Sequence, residues 1–157
     1  MTEKPTVLFV CLGNICRSPL AEAAFREAAQ RIGLDALADS AGLGDWHIGE
    51  PPDRRAQAVA KRHGVDIGGH LGRQVEPADF LRYSHIVALD RQNLAALEAL
   101  RPQNATADLS LLLDHVAGRR GQAVPDPYYG SPADFEATWS DVTNGAEALA
   151  RRLAAAQ

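Results

Sequence analysis

The apolar positions of the chain form two kinds of pattern, and the two alternate along the sequence. Short, mostly apolar runs cover residues 7 to 10, 36 to 41, 85 to 89 and 109 to 113. Such runs predict strands that are buried on both faces of a parallel sheet. Apolar residues recur at helical spacing over residues 19 to 33, 52 to 63, 77 to 83, 94 to 100 and 135 to 153. This alternation predicts an α/β fold with a parallel sheet and helices on both of its faces.

The length and charge of the chain narrow the class of protein. Its 157 residues show no internal repeat and no low-complexity linker, so we expect a single domain over residues 1 to 157. A net charge of −4 argues against nucleic acid as a partner. The sequence has no signal-peptide pattern, no apolar stretch of membrane-spanning length and no disulfide framework. These features favour a cytoplasmic protein without a membrane partner, and we expect a monomer.

The connection between the first predicted strand and the first predicted helix has the composition of an anion-binding loop. A helix N-terminus leaves backbone N–H groups without partners, and Gly13 and Asn14 allow the tight turn that gathers more of them. Ser18 followed by Pro19 predicts the N-cap and first residue of the helix. We therefore expect residues 12 to 18 to bind phosphate: Leu12, Gly13, Asn14, Ile15, Cys16, Arg17 and Ser18.

Cys11 comes directly before this loop, and the chemistry of the loop suits a nucleophile. N–H donors that favour a phosphate dianion also favour the thiolate form of a cysteine. Arg17 matches two oxygens of a tetrahedral oxyanion and keeps its charge. A thiolate below a bound phosphate can attack phosphorus and form a cysteinyl-phosphate. This reaction requires neither a metal nor a cofactor, and the histidines and cysteines lack the spacing of a zinc site.

Cys11, five intervening residues, Arg17 and Ser18 together resemble the signature of the low-molecular-weight protein tyrosine phosphatases. The second motif of that family, Asp-Pro-Tyr-Tyr-Gly, matches residues 126 to 130. Further similar residues lie between the two motifs, so the resemblance covers nearly the whole chain: Asp39, Ser40, Trp46, His70, Leu89 and Asp90.

The resemblance implies hydrolysis of phosphotyrosine and other aryl phosphate monoesters in protein substrates. It also implies strand order 2-1-3-4, which places the phosphate-binding loop where the winding of the sheet reverses. Ser40 and His70 would brace the loop, with His70 bound to Asn14. Trp46 would flank the substrate ring.

The residues of the second motif suit the departure of the leaving group. Asp126 is the predicted general acid, because a carboxyl group near a thiolate and a phosphate dianion is expected to keep its proton. Tyr128 and Tyr129 would stack on a flat substrate at the rim of the cleft. For Asp90 we favour helix capping over catalysis.

Two alternative functions and the role of Cys16 stay open at this point. An arsenate reductase coupled to a small thiol shares this type of loop, and so do phosphoarginine phosphatases. The latter carry threonine where this chain has Ile15, which favours phosphotyrosine as the substrate. Cys16 is either a buried apolar residue or a partner that traps oxidised Cys11 as a disulfide.

Overall fold

The computed structural model describes residues 3 to 157 and contains one parallel sheet of four strands. The strands are β1 (Thr6–Cys11), β2 (Leu37–Gly42), β3 (His85–Ala88) and β4 (Asp108–Leu111). Their order is β2-β1-β3-β4, which confirms the predicted order 2-1-3-4. The predicted α/β class is also confirmed.

Strand β1 is an interior strand of the sheet, paired with β2 on one side and with β3 on the other. Its residues alternate between two cores. Val7, Phe9 and Cys11 face one apolar cluster, while Leu8 and Val10 face the other. Burial on both faces explains why the sequence of this strand is a continuous apolar run.

Within residues 3 to 157, five α-helices cover the two faces of the sheet, as predicted. They are α1 (Arg17–Arg31), α2 (Arg54–Arg62), α3 (Asp79–Arg82), α4 (Arg91–Leu100) and α5 (Pro132–Ala155). Buried residues of α1, α2 and α5 share the core of Phe9, and buried residues of α3 and α4 share the core of Leu8. None of the helices in residues 3 to 157 combines the length and the apolar character that a membrane span requires.

The predicted start of α1 is wrong by two residues. The helix begins at Arg17 with Cys16 at the N-cap, so Ser18 and Pro19 both lie inside its first turn. Proline is tolerated there because the first turn has no intrahelical partner for its missing N–H. The Ser18 hydroxyl contacts the Cys11 sulfur at 3.0 Å instead of capping the helix.

The topology brings the ends of three strands to one edge of the sheet. Residues 12 to 16 follow β1, Asp90 follows β3 as the N-cap of α4, and Gly42 ends β2 directly beside Cys11. A Cβ atom on Gly42 would lie 3.0 Å from the backbone of Gly13 and Asn14. Glycine at this position therefore lets the loop after β1 close against β2.

Candidate active site

The loop after β1 presents an unusual number of unused backbone donors. Within residues 3 to 157, the N–H groups of residues 12 to 17 donate no hydrogen bond to a protein acceptor. Asn14 has a φ of 59°, a left-handed conformation that asparagine tolerates better than most residues. Unpartnered N–H groups at a helix N-terminus form an anion-binding site. The loop can therefore hold an oxyanion.

Asn14 fixes the shape of this loop, and its amide group has all of its hydrogen-bonding atoms in use. Its Nδ2 donates to the Ser18 Oγ at 2.8 Å and to the Ser40 Oγ at 3.0 Å. Its Oδ1 accepts from His70 Nε2 at 3.0 Å and from the Arg73 N–H at 3.1 Å. Burial lowers the pKa of His70, which favours the neutral imidazole. These four hydrogen bonds therefore fix the loop to neighbouring parts of the chain.

Cys11 lies at the base of the loop, at the end of β1. Its side chain is almost fully covered, yet it lines a cavity that opens to solvent. The Ser18 hydroxyl, 3.0 Å from the sulfur, can donate a hydrogen bond to a thiolate there. Cys16 is also buried, and burial raises the pKa of its thiol. Cys16 is thus a poor nucleophile, whereas its role towards oxidised Cys11 stays a prediction.

Arg17 is anchored by acceptors from distant parts of the chain. Its Nη1 donates to Asp90 Oδ2 at 2.7 Å and to the Val124 carbonyl at 2.9 Å, and its Nη2 lies 3.7 Å from Asp126 Oδ2. Burial alone would lower the pKa of Arg17, but the negative groups at Cys11, Asp90 and Asp126 raise it. The guanidinium is therefore a fixed positive charge beside the loop.

A cavity of about 310 Å³ separates the loop from the Asp-Pro-Tyr-Tyr-Gly segment. It brings together most of the predicted site residues: Cys11, Leu12, Gly13, Ile15, Cys16, Arg17, Trp46, Asp126, Tyr128 and Tyr129. His47, which was not predicted, also lines it. The side chain of Asp126 is 43% exposed, so it reaches both Arg17 and solvent. Trp46 and Tyr129 are largely exposed at the rim. Ile15 packs against the core and also contributes to the wall of the cavity.

This arrangement combines a sulfur nucleophile, an oxyanion-binding loop with a fixed arginine, and a carboxyl group across the cleft. It has the parts needed for phosphoryl transfer. The family model described as "Low molecular weight phosphotyrosine protein phosphatase" matches residues 6–157. The chain belongs to this family.

Known members of the low molecular weight phosphatase family are similar to this chain over most of their length. The Bacillus subtilis protein named low molecular weight protein-tyrosine-phosphatase YfkJ is 43% identical over 146 residues, which cover 92% of both chains. The human low molecular weight phosphotyrosine protein phosphatase is 41% identical over 144 residues, 88% of this chain and 90% of the human one. The crystal structure of B. subtilis YfkJ matches with a TM-score of 0.91, covering 99% of this chain and 98% of that chain.

Two other solved structures bear on substrates within this phosphatase fold. A Drosophila protein described as an arginine phosphatase matches with a TM-score of 0.87 at 34% identity, covering 94% of this chain and 96% of that one. Vibrio vulnificus Wzb, solved in complex with benzylphosphonate, matches with a TM-score of 0.84 at 27% identity, covering 96% and 99% of the two chains.

Asp90 has a second contact that the sequence analysis missed. Its Oδ1 accepts from the Asn93 N–H at 2.7 Å, so the predicted capping role is correct, while its Oδ2 binds Arg17. The contact between Asp90 and Arg17 could have been predicted from the order of the strands. Asp90 follows β3, the neighbour of β1, and the carboxyl ends of adjacent parallel strands meet at one edge.

The sequence analysis also missed Glu22, which lies behind the phosphate-binding loop. Its Oε1 accepts from the Ser40 Oγ at 2.8 Å, and burial raises its pKa. Ligand atoms of Glu22, Asp39 and His70 lie within 4.8 Å of one another. However, Arg26 Nη2 pairs with Glu22 at 2.8 Å and Arg73 Nε with Asp39 at 3.5 Å. A metal ion would have to displace these guanidinium groups, and the expectation of a metal-free protein stays a prediction.

Proposed function

We propose that this chain hydrolyses phosphotyrosine and related aryl phosphate monoesters without a metal or cofactor. The observation that carries the proposal is the set of unpartnered N–H groups in residues 12 to 17, with Cys11 at the base of the same cavity. A bound phosphate would satisfy these donors. It would also place its phosphorus above the sulfur.

The reaction proceeds in two displacements. In the first, the Cys11 thiolate attacks phosphorus, the bond from phosphorus to the ester oxygen breaks, and Asp126 gives that oxygen its proton. Arg17 and the loop N–H groups hold the equatorial oxygens as their charge changes. In the second, Asp126 takes a proton from water, the water oxygen attacks phosphorus, and the phosphorus–sulfur bond breaks. Inorganic phosphate leaves and the thiolate is restored.

The walls of the cleft suit an aromatic ester. Trp46 and Tyr128 stand on the rim of the cavity, and Cys11 is only 3% exposed at its base. A phosphate carried on a ring projects past such a rim, and the ring can stack on the aromatic side chains. The benzylphosphonate complex of Wzb supports an aryl-phosphate-like ligand in this fold.

The proposed substrates are proteins that carry phosphotyrosine, and the chain would act on them as a monomer in the cytoplasm. Both cysteines are free thiols in the structure, and a reducing compartment keeps a nucleophilic thiol active. The net charge of −4 does not support nucleic acid as a partner.

Phosphoarginine is the second candidate substrate, because the arginine phosphatase of Drosophila shares the fold. The relatives named above as tyrosine phosphatases match the chain at higher identity, 43% and 41% against 34%, which favours phosphotyrosine. Arsenate is a further candidate because it mimics phosphate in shape and charge. Side-by-side assays of phosphotyrosine, phosphoarginine and arsenate with a small thiol would rank the three substrates.

The first test follows p-nitrophenyl phosphate in the presence of EDTA. The wild type should turn over fully, and Cys11→Ser should lose activity because an alcohol replaces the thiolate. Asp126→Ala should slow esters of poor leaving groups by about 10²-fold or more and p-nitrophenyl phosphate much less. Glu98→Ala, which removes an exposed carboxylate on α4, is the control. An inactive wild type or an active Cys11→Ser would contradict the proposal.

A further inference from the structure

The segment that carries Asp126 has few polar attachments to the rest of the molecule. Within residues 3 to 157, no hydrogen bond joins residues 125 to 130 to another part of the chain. Before this segment, Val124 is held by Leu89 and Arg17, and after it Ser131 and Asp134 form the capping box of α5. The contact between Arg17 and Asp126 is a long ion pair of 3.7 Å. The position of Asp126 therefore depends on the burial of Pro127 and on contacts other than hydrogen bonds.

Arg55, in the first turn of α2, makes such a contact with the aromatic residues that follow Asp126. Its guanidinium carbon lies 5.5 Å from the centre of the Tyr128 ring and 4.7 Å from the centre of the Phe135 ring. These distances are within the range of cation–π attraction. The guanidinium thus connects the segment of Asp126 to the start of α5.

Arg55 is also connected to the phosphate-binding loop, through hydrogen bonds to Asp53. Its Nε and Nη2 donate to the two oxygens of Asp53 at 3.1 Å and 3.0 Å, a bidentate pair. The N–H of Asp53 donates in turn to the Ile15 carbonyl at 2.9 Å. The position of Arg55 is therefore fixed relative to the loop that would hold the phosphate.

The last link runs from Tyr128 to the carboxyl group itself. The Tyr128 N–H donates to Asp126 Oδ1 at 3.2 Å. A displacement of the Tyr128 ring would move this N–H and turn the carboxyl group. Together, these contacts form a continuous path from the Ile15 carbonyl through Asp53, Arg55 and Tyr128 to Asp126.

We propose that Arg55 is a positioning residue. It holds Asp126 at a fixed place relative to the phosphate-binding loop, through Asp53 on one side and Tyr128 on the other. This inference rests on the proposed function, because it concerns the delivery of the proton to the leaving oxygen. Arg55 does not line the cavity, so it acts through Tyr128 and not on the substrate.

The variants Arg55→Gln and Arg55→Lys test this role, with Arg54→Gln as the matched control. Arg54 is the exposed neighbour of Arg55 on α2. Lysine keeps the charge beside Asp53 but loses the planar, bidentate group, so its effect should be intermediate. Lysine also retains the ion pair if glutamine impairs folding.

The measurement is kcat and KM for a series of aryl phosphates whose leaving groups differ in pKa. Arg55→Gln should lower kcat for poor leaving groups about tenfold more than for p-nitrophenyl phosphate, because a misplaced acid protonates the leaving oxygen less well. Inhibition by inorganic phosphate should stay within about twofold of wild type, because the loop and Arg17 are unchanged.

A double-mutant cycle separates positioning from a structural effect. In an Asp126→Ala background, Arg55→Gln should cause no further loss for poor leaving groups. Equal slowing of all esters, a fully additive loss with Asp126→Ala, or Arg55→Gln behaving like Arg54→Gln would each overturn the inference. None of these results would affect the proposed function, which fails only if the wild type itself is inactive or Cys11→Ser is active.

Discussion

Asn14 holds the phosphate-binding loop with both its backbone and its side chain. Its left-handed φ of 59° turns the chain, and its amide makes four hydrogen bonds to three side chains and one backbone N–H. Asn14 is only 1% exposed, so these hydrogen bonds form away from solvent. A change at this residue therefore affects conformation and hydrogen bonding at once, and the two effects can be separated.

Asn14→Ala should lower the free energy of unfolding by about 3 kcal/mol, since it removes buried hydrogen bonds and forces alanine into the left-handed region. Asn14→Gly also removes the hydrogen bonds but accepts a positive φ without strain. Glycine should therefore recover about 1 kcal/mol relative to alanine in urea unfolding. Equal values for the two variants would show that backbone strain contributes nothing here.

At the scale of single residues, the sequence predicted groups whose chemistry is visible in a short motif. Cys11, Arg17 and Asp126 line one cavity, although more than a hundred positions separate Asp126 from the other two. Glu22 and the second contact of Asp90 were missed because a carboxylate in a helix or at a helix cap has an ordinary local explanation. Their contacts with Arg17 and Ser40 depend on tertiary structure.

At the scale of elements, α5 shows how close packing can override helix propensity. Gly145 lies in the interior of this helix, where alanine is intrinsically better by about 1 kcal/mol. However, a Cβ atom at this position would lie 2.5 Å from Leu112 Cγ. Leu112 is fully buried in the 3-10 turn Leu112–His115, so it has little room to move.

Gly145→Ala should therefore lower the free energy of unfolding, by about 1 kcal/mol net, because the cost of overpacking exceeds the gain in propensity. The neighbouring exposed residue provides the control: Asn144→Ala should raise stability by a few tenths of a kcal/mol. Urea unfolding of both variants measures the difference. A stabilised Gly145→Ala would mean that Leu112 moves aside easily.

Element type was predictable from the sequence, whereas element ends were less so. The apolar stripe of the last helix, from Phe135 to Leu153, is buried in the structure as its spacing indicated. The start of α1 differed from the prediction because Ser followed by Pro was interpreted only as an N-cap and first helical residue. In the folded chain, the Ser18 hydroxyl contacts the Cys11 sulfur and accepts a hydrogen bond from Asn14. These contacts depend on how the loop folds, so the Ser-Pro pair alone does not predict them.

At the scale of the whole molecule, partly buried histidines make stability depend on pH. Burial lowers the pKa of His70, His85 and His115 below the ordinary value of 6.5, and for His115 the nearby Arg152 lowers it further. The unfolded chain thus binds protons near pH 6.5 that the folded chain does not bind. Stability should fall as the pH drops from about 6.5 towards the lower pKa values of the folded state.

His115→Gln should flatten this pH dependence. In the wild type, His115 Nδ1 accepts from Arg152 Nη1 at 2.9 Å and Nε2 contacts Ser110 Oγ at 3.0 Å, so protonation disrupts the first contact. Glutamine has no proton to take up in this range. Urea unfolding between pH 7.5 and 5.5 should show a smaller loss for the variant. Parallel curves for the two proteins would contradict the assignment to His115.

The long helix α5 has a consequence for the order of events during synthesis. Its 24 residues pack on α1, and its Phe135 contacts Arg55, which borders the phosphate-binding loop. At translation speeds of 5 to 20 residues per second, the ribosome needs about 1–5 s to add this helix after the last active-site residue. A nascent chain therefore carries every reactive group before α5, which packs on α1 and contacts Arg55, has been made.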